Sequence, residues 1–527
     1  PYFRIEFDDS TTTGALMVYQ YNGAGYDFQL LTTRVFLDAS TWYNVVVAFD
    51  TTQATAANRI KIYVNGSQIS AFGTATYPSI SLDTYWNAAN AMRIGRGFGT
   101  DRFDGYMSQT VAVDGQALTA GSFGQFDGDL NWVAKSVSGL TYGTNGFFLD
   151  YAASGDLGND VSGNANDFTN SNVTQVIDTP TDSYTTLDPL LKYVNVTASK
   201  GNLLATPSGT NVQFIGTTMA IPTTGKWVWW AQRQSGTSVN LGIGDATAAV
   251  GLDVNKGTNL IFDVNTGAFS KYYSGASQAA PSSFSAPGAS LIRFEYDADN
   301  DDLYIYDDNV LATTVTGTGI RANAVGPIYP IFGPYASTPA TVLANFGGNG
   351  LPETPTTGYL TLSTDNLPSQ VEYNSAFTWI KSRSAATSHM LFDRVRGAGN
   401  YISSNVTAAE VYDANSLQQF LKGGALIGKN SNINTAAATY VAWNWFMQNT
   451  GAGVTNTDGS ITSTVLADTT AGFSVVTYTG TGAVGTVGHG LGAAPKFMII
   501  KSRSNVNSWS VYHSAIGAGK YLILQTT

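Results

Sequence analysis

The sequence predicts an all-β protein of tandem antiparallel β-sandwiches, jelly-roll in style, followed by a β-rich repeat region. Three observations carry this prediction. Apolar residues arrive as short runs of strand length, often alternating with polar ones. Turn-forming residues separate the runs, with 56 Gly in the chain. Charged residues are only 12% and aromatic residues 12%, a turn-rich and weakly charged composition. At 527 residues the chain exceeds what one core accommodates, since single cores stop growing near ~250 to 300 residues.

The first strand pattern is immediate: Phe3, Ile5 and Phe7 alternate with Arg4 and Glu6. The run Val45-Val46-Val47 precedes a polar loop, and Arg59-Ile60-Lys61-Ile62-Tyr63-Val64 follows it. In the second run Ile60, Ile62 and Val64 share one face while Arg59, Lys61 and Tyr63 share the other. Asn65-Gly66 then reads as a tight hairpin turn. Residues 1–130 are therefore expected to form a sandwich. Residues 131–189, rich in Gly, Asn, Asp, Ser and Thr and closed by Pro180 and Pro189, read as a connector with short strands.

The ordered set Thr41-Trp42-Tyr43-Asn44-Val45, Ile62-Tyr63-Val64-Asn65-Gly66, Phe103-Asp104-Gly105-Tyr106 and Val113-Asp114-Gly115-Gln116 resembles the laminin G-like, concanavalin A-like module of many phage particle proteins. The usual opening strands of that module are not evident, so its start is expected to be truncated. Gly146-Phe147-Phe148-Leu149-Asp150 and Asp160 to Phe168 resemble the segment that follows this module in marine phage proteins.

Residues 190–355 continue the β pattern with Gly225-Lys226-Trp227-Val228-Trp229-Trp230, Leu241 to Gly244, and the pair Arg293 to Tyr296 and Leu303 to Tyr306. Their order is similar to a SPRY-like sandwich, a binding module without catalytic apparatus. Alternation assigns Trp227 and Trp229 to one strand face, filling the core, with Trp230 opposite. A sugar-stacking platform is the competing reading of these three rings.

From 356 onward an internal repeat appears. Ile380-Lys381-Ser382-Arg383-Ser384 recurs as Ile500-Lys501-Ser502-Arg503-Ser504, and Gly397-Ala398-Gly399-Asn400-Tyr401 recurs as Gly517-Ala518-Gly519-Lys520-Tyr521. Both recur at an offset of 120, that is 501 − 381. Matching glycines predict matching turns. Residues 356–465 read as one module and 466–527 as the start of a second copy, which breaks off. The stretches Asp458 to Gly480 and Val487 to Gly492 resemble repeat modules of phage virion proteins.

The net charge of −11 and the lack of a basic cluster leave no electrostatic footprint for nucleic acid. No run of about 18 apolar residues is present, so membrane insertion is not expected. With zero Cys, thiol chemistry and disulfides are excluded.

Glycoside hydrolysis needs two carboxyl groups flanking the scissile bond. The chain has five Glu, at 6, 295, 353, 372 and 410. The glucanase pattern of this fold sets Glu, Asp and a second Glu on one strand; here Glu6-Phe7-Asp8 is followed by Asp9, Ser10 and Thr11, so the second Glu is missing. His389, His489 and His513 are scattered without evident partners. No catalytic residue is therefore assigned. Calcium is the one cofactor considered, at Asp160, Asn164, Asn166 and Asp167, and at Asp297, Asp299 and Asp301. The plainer reading of both loops is Asx-turns, in which these side chains bond their own backbone.

Taken together, the resemblances imply a non-enzymatic virion component, a tail or head fibre or appendage at the particle surface. Its expected partners are further copies of itself, with threefold symmetry by family analogy, other virion proteins, and a host-surface glycan. A glycan-depolymerising tailspike and a cellular adhesin with lectin-like modules are the alternatives.

Overall fold

The computed structural model describes residues 1–527 except 9–12, 89–90, 98–100, 127–131, 209–210, 252–253, 286–287, 289–290, 336–339, 368–373, 422–423, 448–450 and 526–527. Strands account for 42% and helix for 4%, so the all-β expectation holds. The α-helices among the described residues are the single turns Ala246–Ala249 and Ile320–Asn323.

Strands Tyr2–Asp8, Ala15–Tyr21, Tyr26–Val35 and Phe72–Thr76 form one antiparallel sheet, and Val45–Phe49, Ile60–Val64 and Ser67–Gln68 form a second. Leu16, Val18, Phe28 and Leu30 of the first sheet meet Ile60, Ile62 and Val64 of the second. The alternation read from Ile60 to Val64 is thus the core face. Its other face is covered as well at Tyr63, which is buried against Val46 and Ala120 with Trp132 beside them. Asn65 and Gly66 both take positive φ, 47° and 79°, the primed geometry that matches strand twist. A Cβ on Gly66 would stand 2.4 Å from the Trp132 ring, so the turn and the covering indole require glycine together. In the first strand Phe3 packs inward while Ile5 and Phe7 remain 41% exposed, because that strand is the sheet edge.

The segment read as a connector is tied to what precedes it. Trp132–Ala134 pairs with Gly124–Phe126, and Phe147–Leu149 pairs with Thr110–Ala112.

The second sandwich sets a seven-stranded sheet against an eight-stranded one. Central strands are Val239–Asp245 and Ile328–Pro334 in the first, and Lys226–Ser235 and Leu291–Asp297 in the second. Trp227 and Trp229 enter the core with Phe294, Tyr296, Leu241, Ile243 and Phe332. Trp229 stacks on Phe294 with centroids 5.3 Å apart. Trp230 lies on the opposite face, as alternation requires, and is buried there with Val228 beneath Tyr359. The chain from 351 to 361 crosses this outer face as a strap, and its strand Leu360–Thr361 pairs in parallel with Lys226–Ser235.

The strap also buries Arg293 and Glu295. Arg293 Nε lies 3.2 Å from Glu295 Oε1, and its Nη1 lies 3.2 Å from Glu353 Oε2 and 3.0 Å from the Thr354 carbonyl. The guanidinium also sits 3.9 Å over the Tyr306 ring, and Thr356 N donates to Glu295 Oε1 at 2.7 Å.

In the repeat region Asn374–Ser382 is flanked by Met390–Asp393 on one side and Tyr440–Met447 on the other, with Asn400–Ser403 and Val411–Tyr412 extending the sheet. A second sheet comprises Phe497–Ile500, Ser510–His513 and Leu522–Ile523. The strand registers repeat at the 120-residue offset. Trp379↔Leu391 and Leu391↔Ile402 correspond to Ile499↔Val511 and Val511↔Leu522. Gly397 and Gly517 share φ 84°, whereas Gly399 takes φ 83° and its equivalent Gly519 does not take a positive φ, so the turns match at the first glycine of the pair and differ at the second. Lys381 Nζ donates to the carbonyls of Ser382 and Ala385, and Lys501 Nζ donates to those of Ser502 and Asn505.

The first repeat folds back onto the first sandwich. Asn415 Nδ2 donates to the Thr33 carbonyl at 2.9 Å, and Asn65 Nδ2 donates to Gln419 Oε1 at 3.1 Å. Buried Arg34 lies over Phe36 between these bodies and faces Tyr43 and Tyr412; burial pushes its guanidinium below its ordinary value.

Candidate functional site

Among the described residues, two of the grooves present polar and aromatic side chains to solvent. The first lies on the first sandwich, where strand Val45–Phe49 runs out into Thr51 and meets the loop 82–88. It encloses about 530 Å³ and is lined by Phe49, Thr51, Leu82, Asp83, Thr84, Tyr85 and Ala88. Buried Gln20 holds this loop in place: its Oε1 accepts from Tyr85 N at 2.7 Å and its Nε2 donates to Asp27 Oδ2 at 2.9 Å. Thr51 Oγ1 donates to the Leu82 carbonyl at 3.1 Å. Behind the wall Phe3 contacts Phe49 and Trp86, with centroids 5.4 and 5.3 Å apart. The groove therefore offers aromatic surface beside an exposed carboxylate and two hydroxyls on a rigid backing. That combination suits a polyol with one apolar face.

The second groove, about 210 Å³, is lined by Thr455, Thr462, Ser463, Thr464, Thr477, Tyr478, Thr479 and Arg503. Its hydroxyls are aligned by strand register, since Thr455 opposes Thr464 and Thr464 opposes Thr477, which puts all three on one sheet face. Arg503 is fixed by Glu410 through Nε to Oε2 at 3.0 Å and Nη2 to Oε1 at 2.7 Å. Arg396 Nη1 also reaches Glu410 Oε2 at 3.2 Å. Burial works to raise the Glu410 pKa, but hydrogen bonds and charge from Arg503 and Arg396 outweigh it and hold the carboxyl below the ordinary value.

The calcium candidates are placed as follows. Asp160 Oδ1 accepts from Phe148 N and Ser162 N, and Oδ2 accepts from Ser162 Oγ and Asn166 N, all within 2.8–2.9 Å. Burial opposes ionisation of Asp160, yet these donors outweigh it and keep its pKa below the ordinary value. Asp167 Oδ1 accepts from Asp160 N at 2.8 Å. Asn164 turns its amide nitrogen to the carbonyls of Gly143 and Gly146. In the other loop the three acids diverge. Asp297 bonds Asn300 and pairs with Lys226 Nζ at 3.0 Å; Asp299 accepts from Gly225 N; Asp301 accepts from Tyr296 Oη and Gly319 N. Among the described residues no group of three or more His, Asp or Glu is arranged to hold a metal ion.

Glu6 pairs with Arg4 at 2.9 Å, while Asp9 to Thr11 and Glu372 lie outside the described residues. Glu295 and Glu353 both lie on the guanidinium of Arg293 beneath the strap. The sequence reading did not single out this trio. The one signal was Arg293 and Glu295 on the strand face opposite Phe294 and Tyr296, which alternation alone assigns to solvent. His389 accepts from Trp379 Nε1 at 2.8 Å; His489 and His513 each accept a turn N–H from the residue two positions on.

Residues 2–122 match the concanavalin A-like lectin/glucanases superfamily, and residues 355–527 match a domain of unknown function (DUF7483). The chain is similar in structure to the SPRY domain of human HERC1, at 13% identity and TM-score 0.24, covering 30% of this chain and 96% of that one. It is also similar to the TRIM65 PSpry domain, at 15% identity and TM-score 0.23, covering 31% and 91%, and to stonustoxin, at 17% and 0.23, covering 31% and 27%. Likeness at this level says nothing of ligand or partner. No curated protein matches the chain.

Proposed function

We propose that this chain is a non-enzymatic structural component of a phage particle, a fibre or appendage at the virion surface whose β-modules contact host glycan. The observation that carries the reading is the groove at Phe49, Asp83, Thr84 and Tyr85, set on a module that matches the concanavalin A-like lectin/glucanase superfamily. Tandem rigid sandwiches suit a spacer role, with loops supplying recognition. The resemblance of the linked modules to phage particle proteins supports the virion setting, self-association and contact with other virion proteins.

The test is binding of the whole chain to a panel of bacterial surface polysaccharides. Tyr85→Ala and Asp83→Asn are expected to weaken binding at least tenfold while leaving the thermal transition unchanged. Binding indifferent to both substitutions would remove this groove from the proposal. A reducing-sugar assay on the same polysaccharides separates the tailspike alternative, since sustained turnover would overturn the non-enzymatic reading.

A further inference from the structure

Buried donors are normally paired with an acceptor. Trp509, 5% exposed between the two repeats and packed on Leu391 and Ile402, donates Nε1 to the carbonyls of Ser403 and Val406 at 3.1 Å. Arg34, at the joint between the first sandwich and the first repeat, departs from this rule. On strand Tyr26–Val35 it has the parity of Phe28 and Leu30, which are core residues, and it is 6% exposed. Its Nε and Nη2 are buried without an acceptor. Among the described residues no carboxylate acts on its charge; the groups that do are the phenols of Tyr43 and Tyr412.

The surroundings supply donors rather than acceptors. The guanidinium sits 4.9 Å over the Phe36 ring, and Phe36 meets Tyr43 edge-on with centroids 5.2 Å apart. Tyr43 belongs to the first sandwich and Tyr412 to the first repeat, so a phenol hydroxyl is available from each body. The carboxylates beside those phenols are engaged elsewhere. Asp38 accepts from Ser40 N, Ser40 Oγ and Thr41 Oγ1, and Asp413 accepts from Asn415 N and Asn430 Nδ2. The neighbouring Thr33 carbonyl is taken by Asn415 Nδ2. A buried guanidinium with open N–H groups is strongly unfavourable, and an arginine does not escape that cost by losing its proton.

We propose that Arg34, with the hydroxyls of Tyr43 and Tyr412, binds a small monovalent anion, a halide or a carboxylate, at this joint. Nε and Nη2 share one edge of the guanidinium plane, so two parallel N–H bonds converge on a single anion. The same edge of Arg503 holds the Glu410 carboxylate through Nε and Nη2. A set made only of donors, with one fixed positive charge, selects an anion over a cation or a neutral molecule. Because the two phenols come from different bodies, the anion is shared by the first sandwich and the first repeat, and the stability of their joint follows its concentration.

The whole chain is dialysed into the salt of a bulky organic sulfonate, and chloride or formate replaces the sulfonate at constant ionic strength. The thermal midpoint is followed in both series, and the linewidth of the chloride NMR signal reports bound chloride directly. The expected result is a midpoint that rises with at least one of the two anions and then saturates. Arg34→Met should abolish both the rise and the excess linewidth. Arg34→Lys keeps the charge but loses the paired N–H edge, and should weaken anion binding by roughly tenfold or more. Should Arg34→Met fail to fold, Tyr412→Phe removes one hydroxyl and leaves the cation, with a severalfold weaker anion response expected. A response to chloride identifies a halide site and a response to formate alone a carboxylate site. A midpoint indifferent to both anions would overturn the proposal, the occupant then being a water that bridges Arg34 to Asn415 Oδ1, which is buried in the same joint without a donor. An anion response unchanged in Arg34→Met would overturn it as well. These readouts do not depend on whether the first sandwich binds glycan.

Discussion

Asp178 is buried at 9% exposure where the segment before the second sandwich passes the first. Burial pushes its carboxyl up, hydrogen bonds from the Tyr184 backbone and the Trp42 indole offset this only in part, and nearby Asp182 adds to the rise; the pKa reaches about 6. One carboxylate oxygen has no hydrogen-bond donor. In the unfolded chain the group titrates near ~3.9. Between these values the native state holds a proton that the unfolded chain has released, so stability falls as pH rises from about 4 to about 6 and stays lower above that window. The gap of about two pH units corresponds to ~3 kcal/mol at neutral pH. Asp178→Asn keeps the shape and removes the charge. Its expected effect is stabilisation approaching ~3 kcal/mol at pH 7.5, shrinking to nearly nothing below pH ~4. Urea unfolding followed by tryptophan fluorescence at pH 4, 5, 6 and 7.5 reads this, since Trp42 reports on the joint. A benefit of equal size at every pH, or a loss at pH 7.5, would refute the reasoning.

Arg293→Met should destabilise the second sandwich by ~3–5 kcal/mol, because it leaves Glu295 and Glu353 under the strap without their shared cation; thermal unfolding checks this. Trp509→Ala should cost the junction between the repeats ~3–5 kcal/mol, seen as earlier proteolytic cleavage between 495 and 525 with the second sandwich unaffected. Calcium and a chelator should leave the thermal transition in place, since the Asp160 oxygens already accept four N–H or O–H bonds; a rise of several degrees with calcium would show that the loop reorganises to bind it.

Period-two alternation was enough to place Ile60, Ile62 and Val64, and Trp227 and Trp229, in their cores, because strand geometry ties side-chain direction to residue parity. The Asn65-Gly66 turn and the 120-residue offset were legible for a similar reason, as each rests on local backbone geometry. What covers the second face of a strand was not legible. Tyr63 and Trp230 are buried by Trp132 and by Tyr359 of the strap, segments far along the chain with no periodicity to announce them. Both grooves escaped the sequence reading on the same grounds. Tyr85 is held at the groove by the bond of its N–H to Gln20 of a strand far back in the chain, and Thr464 and Arg503 meet in one groove from segments about forty residues apart.

The fold-back of the first repeat onto the first sandwich makes the second sandwich a closed excursion of the chain. Two hydrogen bonds of that joint run from Asn415 to Thr33 and from Asn65 to Gln419. Neutral hydrogen bonds of this kind are worth only ~1 kcal/mol each. Those bonds act beside buried Arg34, which faces Tyr43 of the first sandwich and Tyr412 of the first repeat, so the joint brings together segments that the whole second sandwich separates along the sequence.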